Sequence, residues 1–138
     1  MTNIIKLRHE HDRSTRLNVL GEPIEECSCD PMTGWFRDGT CATDDNDLGR
    51  HVVCSVMTRE FLEFARSSGN DLITPRPDLG FPGLQPGNHW CVCAETWEAA
   101  RQAGAACPVM MGSTHQSALE VLRLEDLRTH AADPDHLH

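Results

Sequence analysis

The chain has 138 residues and a formal net charge of −9, with 21 acidic side chains against 12 basic ones. That length suits one domain with one core. The charge argues against a partner gripped by its phosphates, whether nucleic acid or an anionic membrane surface, and leaves a small molecule or another protein as the expected partner.

The hydrophobic fraction of 39% is ordinary, but tyrosine is absent and there are four phenylalanines and three tryptophans. The core is therefore expected to be aliphatic, with Phe36, Phe61, Phe64, Phe81 and the tryptophans as local anchors. Lys6 is the one lysine beside eleven arginines. The opening residues Met1 to Glu10 contain no long apolar run and do not read as a signal peptide. No segment approaches bilayer-spanning length. A cytoplasmic location is the expectation, and there the seven cysteines are predicted to be reduced thiols or metal ligands. Their odd number leaves at least one unpaired.

In chain order, residues 1–16 are polar and aperiodic and predict a flexible arm, residues 17–131 a single globular domain, and residues 132–138 a flexible tail. Leu17-Asn18-Val19-Leu20 predicts a strand or an extended lead-in, ended by Gly21 and Pro23. Turns at Asp30-Pro31 and Asp38-Gly39 flank Trp35-Phe36-Arg37, a candidate hairpin strand. Asp44-Asp45-Asn46-Asp47 resembles half a calcium loop, but Leu48 and Ser55 occupy ligand positions, so it reads as a solvated turn. His51 to Met57 is the clearest buried strand. Thr58 caps a helix running to about Ser68, with Phe61, Leu62, Phe64 and Ala65 on its apolar stripe and Gly69 after its end.

Residues 70–88 carry Pro75, Pro77, Pro82 and Pro86, which forbid a helix or a central strand. Leu72, Ile73, Leu79, Phe81 and Leu84 give this segment the means to pack as an ordered Ω-type loop. A short buried strand over 89–94 follows, then a helix over about 96–103 that buries Trp97 and Ala100. Pro108 to Met111 predicts a third strand. Ser113 or Thr114 caps a short turn holding Ala118 and Leu119, and 120–122 fits helix or strand equally. Leu124, Leu127 and Ala131 space a last helix. The class is α+β, with three to five short strands and about three helices.

The 89–94 strand carries the candidate chemistry. Alternation places His89, Cys91 and Cys93 on one face, a nitrogen and two sulfurs that a borderline-soft ion such as zinc would take. Cys27, Cys41, Cys54 or His51 could complete the set. No Cys-x-x-Cys knuckle is present, so buried core cysteines and a reactive thiol stand as alternatives. A disulfide between Cys91 and Cys93 is disfavoured by the near-parallel side chains of an extended strand. Arg37 and Arg76 are candidate carboxylate binders. His115 reads as an acid–base group or as a capping-turn histidine. Asn70 and Asp71 are candidate ligand contacts whose simpler reading is turn chemistry. Phosphate loops, nucleophile elbows, zinc-protease helices and dinucleotide fingerprints are absent from the sequence.

Several motifs stand in a fixed order: Asn18-Val19-Leu20-Gly21, Asp30-Pro31-Met32-Thr33-Gly34, Phe36-Arg37-Asp38-Gly39, His51-Val52-Val53-Cys54, Met57-Thr58-Arg59-Glu60-Phe61-Leu62, Gly69-Asn70-Asp71-Leu72, Phe81-Pro82-Gly83-Leu84, Trp90-Cys91-Val92-Cys93-Ala94 and Thr114-His115. In this set the chain resembles the small bacterial family catalogued as domain of unknown function 2237, over roughly Leu17 to Ala131. The resemblance implies one compact soluble domain and supplies no activity. Cys29 and Cys107 depart from its pattern, which leaves Cys27, Cys41, Cys54, Cys91 and Cys93 as the cysteines that matter.

Three functions follow as expectations. The first is a cytosolic thiol-rich domain that binds a metal ion or small ligand at the 89–94 strand, beneath the 70–88 loop. The second is a non-catalytic interaction module whose cysteines are core. The third is an enzyme with a cysteine nucleophile and His51 or His115 as its base. Whether the chain is an enzyme stays open at this level, and at least one of Cys27, Cys41, Cys54 or His51 is predicted to lie within about 4–5 Å of the Cys91 or Cys93 sulfur, the reach of a shared metal.

Overall fold

The computed structural model describes residues 16–48 and 50–133. Of the predicted arm only Arg16, and of the predicted tail only Ala132 and Asp133, fall among them; the rest of both lies outside the described residues.

Two antiparallel strands form the sheet, β1 (His51–Val56) and β2 (His89–Cys93). Three helices accompany them: α1 (Arg59–Ser67), α2 (Ala94–Gln102) and α3 (Leu124–Thr129). Short 3₁₀ turns occupy Pro77–Leu79, Met111–Ser113 and Gln116–Glu120. The α+β class stands, and the strand count is corrected. The expected third strand is a bridge at Val109, which pairs with Ser55 on one side and Ala131 on the other. Pro108 has no N–H to extend the ladder, and the backbone turns into 3₁₀ geometry at Met111. Trp35 and Phe36 form a turn rather than a hairpin strand, and Arg37 behind them has φ of 54°, a value no strand tolerates.

Local chemistry sets the helix starts. Thr58 Oγ1 accepts the Phe61 N–H at 3.1 Å, and Phe61, Leu62 and Ala65 face the core. α2 begins directly where β2 ends. It buries Trp97, whose Nε1–H donates to the Cys107 carbonyl at 3.1 Å. His115, rather than Ser113 or Thr114, caps the turn that follows, its Nδ1 accepting the Ser117 N–H.

The 70–88 segment packs through four of its five apolar residues, while Leu79, expected to pack with them, is exposed. Leu84 is buried, Leu72, Ile73 and Phe81 lean on the main core, and the Phe81 ring meets Trp90 edge-on at 5.4 Å. The ends of the domain are tied by buried polar contacts. Asn18 donates to the Gly112 carbonyl at 3.0 Å and accepts the Leu20 and Glu22 N–H groups. The Asp133 carboxylate accepts the Met111 and Gly112 N–H groups at 2.7 and 3.0 Å.

On α2, the Arg101 guanidinium forks the Glu98 carboxylate at 2.8 and 2.7 Å and holds its pKa down from 4.5 to about 2. A depressed carboxylate contributes stability that is present above its ordinary value and is lost as pH falls through the folded one. Glu98→Gln should therefore flatten the fall of unfolding free energy between pH 4.5 and about 2, removing up to about one proton of linkage. Urea titrations at stepped pH measure this.

Candidate functional site

The register of the sheet places the site. Cys54 on β1 lies opposite Cys91 on β2. The Cys54 N–H and C=O both point away from β2, to Thr114 Oγ1 (3.2 Å) and the Met110 N–H (2.8 Å). The Cys91 N–H likewise points away, to the buried hydroxyl of Thr33 at 2.9 Å. The two cysteines are thus a non-hydrogen-bonded pair, the kind whose side chains stand closest across an antiparallel ladder. The 24–42 loop lays two more cysteines on the same face. It is pinned there by the Cys27 and Ser28 N–H groups, which both donate to the Gly39 carbonyl, and by the tight turn at Gly34. Gly34 has φ of +104°, and a Cβ there would stand 2.1 Å from the Thr40 carbonyl oxygen, so no other residue fits.

The result is a sulfur cluster of Cys27, Cys41, Cys54 and Cys91, all buried, with Ile24 and Met110 packed against it. The expected neighbour of the 89–94 sulfurs is present. The expected redox state is corrected: disulfides join Cys27 to Cys54 and Cys41 to Cys91. Their Cα separations of 5.7 and 5.4 Å fall in the range a disulfide needs. As expected, Cys91 and Cys93 are not joined to each other. Cys93 turns out of the cluster to become the residue before α2 and pairs in register with His51, while His89 sits at the other end of β2 opposite Val56.

Three thiols remain free: exposed Cys29, half-buried Cys93 and buried Cys107. A hydrogen bond to Glu26 pushes the Cys29 thiol up, and burial pushes Cys107 up to about 12. Neither is an activated nucleophile.

A cleft of about 430 Å³ opens beside the sulfur cluster, and Cys91 forms part of its wall. It brings together Arg37, His51 and Asp71, three of the candidate ligand contacts, with Trp35, Trp90, Phe81 and Arg76. Its cover is the 70–81 part of the proline-rich loop. Arg37 spreads over the Trp90 ring at 5.1 Å and donates to the Gly34 carbonyl at 3.0 Å. Among the described residues it has no acidic partner, whereas Arg76 is committed to a two-point ion pair with Asp78 (3.1 and 2.8 Å). The left-handed backbone at Arg37 is a costly conformation for a side chain of this size.

His51 is the second polar group. Its Nδ1 lies 2.6 Å from Asp47 Oδ1, and its ring stacks under Trp35 at 6.3 Å with the planes 8° apart. A carboxylate only accepts, so Nδ1 carries the proton, and Nε2 is the ring nitrogen left for a ligand. Asp47, read in the sequence as part of a solvated turn, is buried. Burial alone would raise its pKa, but hydrogen bonds from the His51 side chain and backbone and from Thr43 outweigh that and hold it below the ordinary carboxylate value. The one signal in the sequence was its place four residues before a histidine. Asp47→Asn should cost about 1.5–3 kcal/mol, the worth of hydrogen bonds to a charged group. Chemical denaturation measures the loss, and the His51 ring nitrogen shifts report loss of the fixed tautomer.

The other candidates lie apart or are engaged locally. Asp71 accepts the Ile73 and Thr74 N–H groups and the Thr74 hydroxyl, which holds its pKa below the usual range. The Asn70 N–H closes the end of α1 on the Ala65 carbonyl. His115 is buried at the edge of a roomier cleft of about 670 Å³. That cleft mixes Arg16 and Arg50 with Asp44, Asp45 and Glu120, and its Arg50 is already paired to Glu120 at 2.9 Å. Its Arg16 is paired to Asp38 at 3.0 Å, so it offers a carboxylate less unspent positive charge than the Arg37 cleft does. Trp35, Trp90 and Asp47 were not among the site residues read from the sequence.

No helix among the described residues is long and apolar enough to cross a membrane. A family model described as an uncharacterized protein conserved in bacteria, DUF2237, matches residues 17–131. Among curated proteins nothing matches the chain.

Proposed function

This chain belongs to the DUF2237 family, matched over residues 17–131, and we propose that it works as a small-ligand-binding domain whose site is the cleft between Trp35, Arg37, His51 and Trp90. The ligand class is an organic carboxylate with a flat apolar body. The carrying observation is Arg37: a guanidinium fixed over an aromatic ring, in a cleft, with no carboxylate of its own among the described residues. Arginine presents a planar fork that matches a carboxylate. The Trp90, Phe81 and Trp35 rings supply apolar faces, and the volume of about 430 Å³ lies in the range of small-molecule sites. His51 Nε2 is the second polar contact. A cytoplasmic setting belongs to the same proposal, and so does the absence of nucleic acid and membrane among its partners, which the net charge of −9 supports.

The test uses the three indole N–H resonances. Trp35 and Trp90 line the cleft, and Trp97 is buried in the core. Phenylacetate should shift the Trp35 and Trp90 signals saturably and leave Trp97 in place, while the isosteric phenylacetamide should do so far more weakly. Equal responses to both compounds, or none to either, would remove the proposal.

Exposed Met32, Trp35 and Phe36 on one loop favour a second reading, a protein-docking surface. In that case neither small molecule binds, and Trp35→Ala with Phe36→Ala abolishes capture of a protein partner.

A further inference from the structure

The four buried sulfurs do more than brace the fold. Two come from facing positions on β1 and β2 and two from a single loop. The sulfurs of Cys27, Cys41 and Cys54 all lie within 4.8 Å of one another, and that of Cys91 is bonded to one of them. Two disulfides that share one apolar pocket have a different meaning from two that staple separate loops. When both open, the thiols of Cys27, Cys41 and Cys54 share one point and that of Cys91 stands beside Cys41. A tetrahedral ion with sulfur bonds of about 2.3 Å holds its four ligands roughly 3.8 Å apart, within the 4.8 Å that bounds the Cys27, Cys41 and Cys54 sulfurs, and the Cys91 sulfur has to close in as its bond to Cys41 opens.

We propose that Cys27, Cys41, Cys54 and Cys91 form a redox-gated metal centre, closed to metal as two disulfides and able, once reduced, to take one borderline-soft divalent cation of the zinc type as a four-thiolate site. The ligand set differs from the one the β2 face suggested, since His89, His51 and Cys93 take no part in it. The chemistry balances. Each disulfide accepts two electrons and two protons from a dithiol reductant, which leaves as its own disulfide. The four protein thiols then lose four protons as the cation binds, giving a complex of net charge −2. Soft thiolates select such a cation over magnesium or calcium. Burial lets the four ligands close the site with no position left for water, as in structural rather than catalytic centres. Cys91, itself 2% exposed, also lines the Arg37 cleft, so the Cys41–Cys91 disulfide lies beside that opening.

The experiment treats the full chain with a dithiol, removes the reductant without air and titrates with Co²⁺ as the spectroscopic stand-in for zinc. The expected result is one equivalent bound, with the intense visible bands of tetrahedral cobalt and sulfur-to-cobalt charge transfer. The oxidised chain should show neither. With metal bound, rapid thiol labelling should fall from six cysteines, all but the fully buried Cys107, to the two reachable ones outside the cluster, Cys29 and Cys93. A combined Cys29→Ser and Cys93→Ser variant should keep the full cobalt signal. Cys54→Ser should weaken binding at least a hundredfold, and because that variant could fail to fold, the labelling count on the wild-type chain stands as the independent readout. The proposal is overturned if the reduced chain binds no cobalt, if it binds cobalt without charge-transfer bands, as surface histidines would, if oxidised and reduced chains bind alike, or if more than two thiols stay rapidly reactive at saturation.

Discussion

Cys41→Ser should cost the oxidised protein about 4 kcal/mol of unfolding free energy, the loop-closure value for a cross-link across a sequence separation of 50 residues. Cys27→Ser should cost about 3.5 kcal/mol, since its link to Cys54 spans 27 residues. Urea unfolding without reductant measures both. The control is the same comparison in excess dithiol with chelator present, where wild type has lost its own cross-links and each difference should shrink to about 1–3 kcal/mol, the cost of a hydroxyl in an apolar pocket. Equal losses in the two buffers would mean that these sulfurs stabilise by packing alone.

Arg37→Met should weaken phenylacetate binding about 10- to 100-fold. The lost interaction is a charge-assisted hydrogen-bond pair, about 1.5–3 kcal/mol, at about 1.4 kcal/mol per tenfold. Methionine keeps the length and the contact with Trp90 while losing the charge. Its backbone strain at φ of 54° is that of any non-glycine residue, so the stability lost should be that of the Gly34 hydrogen bond and the cation–π contact, about 1–2 kcal/mol. Arg37→Lys should recover part of the affinity, because it restores charge without the planar fork. Isothermal titration of the three proteins gives the comparison. Unchanged affinity in Arg37→Met would place the carboxylate elsewhere.

Where local rules govern, the sequence was readable. The Thr58-capped α1, the positive φ of Gly69 behind it, and the burial of Trp97 and Ala100 on α2 all follow from side-chain spacing and capping. So does the packing of the 70–88 loop, because Leu84 and Phe81 recur among prolines that cannot build anything else. Pairing between β1 and β2 was legible as two apolar runs, but Val109 was not separable from them. A short apolar run says nothing about whether a partner edge of matching length exists.

The candidate site was legible in part. Arg37, His51 and Asp71 do line one cleft with Cys91. Asp47 was missed because the run Asp44-Asp45-Asn46-Asp47 looks solvated, and only the tertiary position of the turn buries this one. The cysteine pairing was out of reach for a related reason. Cys27 and Cys41 meet their partners across 27 and 50 residues, and no spacing rule fixes connectivity at that range. Expecting a reducing compartment then turned the reading toward free thiols. Alternation chose the right face for Cys91 but carried Cys93 with it. Cys93 is the last residue of β2, and an irregularity in β1 between His51 and Val53 pairs it with His51, away from the other sulfurs.

A structure of the protein with phenylacetate bound tests the Arg37 cleft as a carboxylate site most directly. The carboxylate should lie within hydrogen-bond distance of the Arg37 guanidinium, with the phenyl ring against Trp35 or Trp90 and the Cys91 wall behind it. Phenylacetate seated instead in the cleft of Arg16 and Arg50, or with its carboxylate turned to solvent and away from Arg37, would contradict the account.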